Sequence, residues 1–248
     1  ESLIKNIKNK DNNILIFTSI ALFSDHALVD LLLALNLKIR GYRPIIIFAD
    51  DSLPISHISD RYSFLFGINS ILRRFIHKRI FAQCIRIGNL IKKNNLFEFD
   101  SFDEGLREFN KTNLVPLRFS IQEDINAGII RYAASSSKDV LSKLPKDVIE
   151  NYHVAALTSQ KAIQGLIKKY SPKLIIAHHG IYIPQGIVQK ISKIQDISFY
   201  SWHFGYRKST LIFSKNDTYH KELIDTNIDQ FDLNLSEEKK DRIMSYLL

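Results

Sequence analysis

The residues best suited to chemistry in this 248-residue chain are histidines. Five of the eight, His26, His178, His179, His203 and His220, fall at or just after runs that read as strand ends. Imidazole changes protonation near neutral pH, so it can take and return protons during a reaction. Zinc ligation is the competing use, because His and Asp side chains also hold metals. The chain has no HExxH or similarly spaced motif, so no metal is expected. His77 and His153 lie in helix-like stretches and read as ordinary hydrogen-bonded residues.

Other familiar chemistries find no support. No GxGxxG follows the first strand, and no GxxxxGK[ST] occurs, so a standard dinucleotide or P-loop site is not expected. There is no GxSxG elbow, and the single cysteine, Cys84, sits in a basic stretch. No cofactor is expected. Glycine is scarce, at nine residues, yet Gly180 and Gly205 each follow a histidine-bearing strand end. A turn there, or close approach to a ligand, would need them.

These residues must be positioned by a sheet. Residues 13–20 form an apolar, Ile- and Phe-rich run that predicts a strand, followed by Ser24, Asp25 and His26 on a loop. Residues 27–40 predict a helix that Ser24 or Asp25 can cap and Gly41 can end. Residues 42–49 predict the next strand, closed by Asp50 and Asp51. Strand, helix, strand at this spacing is a βαβ unit and hence part of a parallel sheet. Residues 97–110 read as polar and mixed, with acids at Asp100, Asp103 and Glu104. Helices are predicted over 122–135 and 146–170, the second stopped by Ser171 and Pro172.

The βαβ rhythm then returns. Residues 173–177 predict a strand, with His178, His179 and Gly180 on the loop after it. Pro184 suits the first turn of a helix over 184–194. Residues 197–202 predict a strand leading into a loop with His203, Gly205, Tyr206 and Arg207, and 210–213 a short further strand. The acidic tail from Asp217 ends in a predicted helix over 236–248. The expected fold is an open, Rossmann-like parallel α/β sheet flanked by helices, with a helical middle section, in one domain over 1–248. Ligands of such sheets bind outside the carboxyl ends of the strands.

The net charge of +8 favours an acidic partner. Arg73, Arg74, Lys78, Arg79, Arg86, Lys92 and Lys93 fall within 21 residues that hold no acid. With Leu72, Ile76, Ile80, Ile87 and Ile91 at helical intervals, residues 73–93 read as a basic amphipathic helix. It suits either a wet helix face or peripheral membrane contact. Nucleic acid is not expected, because the basic residues cluster in this one helix. No run reaches the roughly 18 apolar residues of a membrane span. The longest apolar run, 28–39, is interrupted by Asp30, Asn36 and Lys38. With no signal-peptide pattern and one cysteine, a cytoplasmic location is expected.

Two groups of residues carry a family resemblance. His26-Ala-Leu-Val-Asp30, Arg40-Gly41-Tyr42 and Ala49-Asp50-Asp51-Ser52-Leu53-Pro54 form the first. His179-Gly180-Ile181-Tyr182-Ile183-Pro184-Gln185-Gly186, Trp202-His203-Phe204-Gly205-Tyr206-Arg207 and Asp217-Thr218-Tyr219-His220 form the second. Together they resemble GT-B-type glycosyltransferases of bacterial surface-polysaccharide (capsular) synthesis. The resemblance implies an N-terminal half that holds a glycan or lipid-linked acceptor. A second half would hold most of the nucleotide-sugar donor site, so this half alone should be inactive. It further implies His26 as the base, oriented by Asp25, with His179 as the rival. His178, Gly180, Tyr182, His203, Tyr206 and Arg207 would line the cleft. The alternatives are a non-catalytic carbohydrate- or nucleotide-binding module, and a sugar-nucleotide epimerase or hydrolase.

Overall fold

The computed structural model describes residues 12–18, 24–48, 52–55, 97–207, 209–221 and 236–238, with Ser24, Asp25 and Val140 described in their backbone alone. The basic stretch 73–93, His57, His77, Cys84, Asp50, Asp51, Lys208 and most of the expected C-terminal helix lie outside the described residues. Among the described residues, no helix is long and apolar enough to cross a membrane.

The chain has a Rossmann-like α/β fold. Strand β1 (Asn13–Thr18) is buried along its whole length. That is the burial of a central parallel strand, covered on both faces. Helix α1 (Ser24–Ile39) follows. It starts earlier than the sequence suggests, so His26 lies in its first turn and not on a loop. The acid at Asp25 is compatible with that start, since helix N-termini favour negative charge. Gly41, at φ 91°, ends α1. Its N–H donates to the Lys38 carbonyl at 3.0 Å and that of Tyr42 to Leu37 at 3.0 Å, the paired pattern of a left-handed cap. Strand β2 (Arg43–Phe48) then pairs in parallel with β1, Ile16 beside Ile46.

The mixed stretch after residue 97 holds a strand the sequence conceals. Strand β3 (Glu98–Ser101) pairs with β2 and leads into helix α2 (Phe102–Lys111). Its four residues include two acids, so no apolar run announces it. Neighbouring cations account for the acids. Arg43 donates to both Glu98 carboxylate oxygens, at 2.6 and 2.5 Å, and Lys169 reaches Asp100 at 3.0 Å and Glu104 at 3.1 Å. Ser101 caps α2 by accepting the Glu104 N–H.

The remaining elements follow the expected rhythm, apart from a short helix over 138–141 that the sequence pattern does not announce. They are α3 (Gln122–Ala133), the short α4 (Lys138–Leu141), α5 (Lys146–Tyr170), β4 (Leu174–His178), α6 (Gln185–Ile194), β5 (Ser198–Phe204) and β6 (Leu211–Lys215). Helix α5 stops where Ser171 turns left-handed, at φ 45°, before Pro172. Pro184 occupies the N-cap position of α6, one residue before the helix. His178 proves to be the last residue of β4, and His203 lies within β5. Both strands run further than the apolar pattern because β5 extends alongside two neighbours. His178 is level with Trp202, and His203 with Ile212 of the antiparallel β6.

The sheet order is β3-β2-β1-β4-β5-β6. The chain moves outward from β1 to β3, then crosses back to β4 and moves outward on the other side. The switch point therefore lies between β1 and β4, where such sheets open a crevice at their carboxyl edge. Alternation along the strands divides the core. Leu15, Phe17, Ile45, Ile47, Ile175 and Phe199 pack with the apolar faces of α2, α3, α5 and α6. Ile14, Ile16, Ile46, Ile176 and Trp202 pack beneath α1 through Ala34.

Helices α2 and α5 touch backbone to backbone. A Cβ on Gly165 would stand 1.9 Å from the Gly105 carbonyl oxygen. Neither backbone can yield without the helices separating. Gly165→Ala is expected to cost about 3 kcal/mol, at the upper end of overpacking penalties. Urea unfolding would measure this, and an unchanged midpoint would mean that the helices can part freely.

Candidate functional site

The switch point gathers histidines. His178 is buried at the end of β4, on the α1 side of the sheet. Its ring centroid stands 4.6 Å from that of half-buried His26 in α1, and 4.7 Å from that of Trp202. His26 also packs edge-on against Phe204, at 4.9 Å. His179 follows with a left-handed backbone, φ 61°, and Gly180 repeats it at 70°. The His179 N–H extends the ladder by donating to the Trp202 carbonyl at 3.0 Å, and the Gly180 N–H closes the turn onto His178 at 2.7 Å. A side chain at Gly180 would be strained by its φ, so the turn requires glycine.

The left-handed turn matters for the rings. Adjacent strand residues point to opposite faces. Here the ring centroids of His178 and His179 are only 3.8 Å apart, and His203 joins them at 4.1 Å from His179 and 5.3 Å from His178. His220 lies parallel to His179 at 6.3 Å and packs on Tyr219 at 3.8 Å. Burial lowers the affinity of His220 for a proton, and nearby His203 lowers it further. Burial, with Tyr206 beside it, pushes the Tyr219 hydroxyl up. All five histidines singled out by sequence thus form one chain of ring contacts.

Beneath the rings lies a carboxyl group. Asp30, one helical turn after His26, is fully buried and accepts the Trp202 indole N–H at 2.8 Å. Burial raises its pKa from 3.8 to about 7, against the lowering effect of Trp202 and Thr18. A buried carboxyl that ionises near neutrality is common at functional sites. Sequence reasoning missed it, reading Asp30 as an interruption of an apolar run. The spacing of His26 and Asp30, four residues apart on one helix, was the available signal.

The rim is more open. Tyr182 packs on His179 at 6.2 Å, and the Arg131 guanidinium lies over its ring at 5.0 Å. Tyr206 is 84% exposed but borders Tyr219. Arg207 is exposed on the turn beyond β5, where its carbonyl accepts the Thr210 hydroxyl at 2.6 Å. Asp25 occupies the first turn of α1, and its side chain lies outside the described residues. Trp202, 1% exposed, belongs to the core.

No family model and no curated protein matches this chain. The site must therefore be read from its own geometry. That geometry offers clustered imidazoles for moving protons or holding a cation, with tyrosines and a guanidinium at the mouth. A separate depression lined by Gln164, Lys168, Ser171 and Gln195 lies at the amino ends of β4 and β5, away from the histidines.

Proposed function

We propose that this chain is the acceptor-side half of a glycosyltransferase that moves a sugar from a nucleotide-sugar donor to a glycan or lipid-linked acceptor. The observation that carries the reading is the meeting of His26 with His178 outside the β1 and β4 ends, where open α/β sheets bind ligands. The resemblance of the His179–Gly186 and Trp202–Arg207 stretches to surface-polysaccharide transferases supports it. In this reading His26 is the base. One of its ring nitrogens takes the acceptor hydroxyl proton while the oxygen bonds to the anomeric carbon. The bond from that carbon to the nucleoside diphosphate breaks, and the electron pair leaves with the diphosphate. Tyr182 and Tyr206 offer faces to sugar rings, and Arg207 offers a fork of donors for phosphate or carboxylate. His179, the rival base, packs instead against His178 and His203.

The reaction belongs at the cytoplasmic face, where nucleotide sugars are made. Its test is release of nucleoside diphosphate by the intact protein, screened over nucleotide sugars with and without glycan acceptors. Acceptor-dependent release is expected. Acceptor-independent release would indicate a hydrolase, and no release with any pair would favour a non-catalytic module.

A further inference from the structure

The geometry points to a second capacity of the histidine cluster: we propose that His178, His179 and His203 bind one d-block divalent cation of the zinc class. One ring nitrogen from each of the three lies within 4.8 Å of the others. Three imidazoles on one tetrahedral ion, at the usual Zn–N distance, would have nitrogens roughly 3.3 Å apart. Small ring rotations separate the two arrangements.

The frame that holds these rings is rigid. His178 and His203 sit on neighbouring strands, and His179 is pinned by its N–H bond to the Trp202 carbonyl. The left-handed backbone at His179 costs energy in a non-glycine residue, roughly 1 kcal/mol. That conformation is what breaks strand alternation between His178 and His179, whose rings nearly touch.

His203 adds an independent sign. Its Nδ1 stands 2.6 Å from the Phe204 carbonyl oxygen. A carbonyl only accepts, so Nδ1 carries a proton, and in the neutral ring Nε2 is the nitrogen with the lone pair. Metal-bound histidines are usually fixed in this way, through a carbonyl or carboxylate on the other ring nitrogen. The donor set selects the metal class. Imidazole suits Zn²⁺, Co²⁺, Ni²⁺ and Cu²⁺, whereas Mg²⁺ and Ca²⁺ prefer oxygen ligands. Three protein ligands leave a fourth position for water, the mark of an open site. Sequence spacing gives no hint of this, because two ligands are adjacent and the third comes from the next strand.

The proposal does not depend on the transferase reading. Untagged protein, stripped with EDTA and dialysed, would be titrated with ZnCl₂ by calorimetry and with CoCl₂ by visible absorption. One equivalent is expected to bind, with cobalt bands of low-coordinate nitrogen ligation. His179→Ala and His203→Ala should each weaken binding at least about 100-fold, while exposed His153→Ala in α5 leaves it unchanged. Both site variants avoid the buried His178, and circular dichroism would confirm that they fold. Substoichiometric binding, octahedral cobalt spectra, or wild-type affinity in either site variant would overturn the proposal. Sugar transfer plays no part in the readout, so these outcomes are distinguishable from failure of the transferase reading.

Discussion

His26→Ala is expected to slow sugar transfer by the intact protein about 10²–10⁴-fold, the range for loss of a positioned general base. The loss should fall on kcat, because the base acts as the proton leaves the acceptor and contributes little to holding it. The thermal midpoint should change little. His26 is half-buried at the helix start, and its ring contacts with His178 and Phe204 lie at the edge of the core. A variant with wild-type kcat would remove His26 from the mechanism. A large rise in KM with kcat intact would make it a binding residue instead.

Asp30→Asn should make the protein more stable above pH 7 and flatten its dependence on pH below that. The folded carboxyl ionises near pH 7, against an ordinary value of 3.8. Between those two values the unfolded chain has lost the proton and the folded chain keeps it. Stability therefore falls as pH rises from about 4 to 7, then levels off. At 1.36 kcal/mol per unit the full effect is about 4 kcal/mol. Asparagine keeps an oxygen for the Trp202 indole N–H but cannot ionise, so the part of the slope due to Asp30 should vanish, leaving the smaller contribution of other buried carboxyls such as Asp124. Asp30→Ala is different. It leaves that N–H buried and unpaired, at a cost of about 1–3 kcal/mol at any pH. Urea unfolding between pH 4 and 8 would separate the variants. An unchanged slope in Asp30→Asn would mean that the carboxyl is already ionised in the fold.

The same residue shows where sequence reasoning stopped. The first βαβ unit was legible because Asn13–Thr18 and Arg43–Phe48 are rich in buried apolar residues and Gly41 marks the helix end between them. Helix α5 was legible to its last residue because Ser171 and Pro172 forbid its continuation. Strand β3 was hidden, since its acids are balanced by Arg43 and Lys169 from distant elements. The histidines were visible as residue types at strand ends. Their convergence was not, because it depends on the left-handed turn at His179 and on the level of β4 beside β5. Asp30 was overlooked because its hydrogen-bond partner, Trp202, lies 172 residues away in sequence, and the His26–Asp30 spacing alone does not reveal that contact.

Chemical rescue tests whether His26 is the base of the proposed transfer reaction. In His26→Gly the missing ring leaves room for added imidazole. Transfer is expected to fall at least about 100-fold and then recover with imidazole concentration, following the fraction of unprotonated imidazole as pH changes. A His26→Gly variant that transfers at the wild-type rate, or whose lost rate ignores imidazole at every pH, would contradict it.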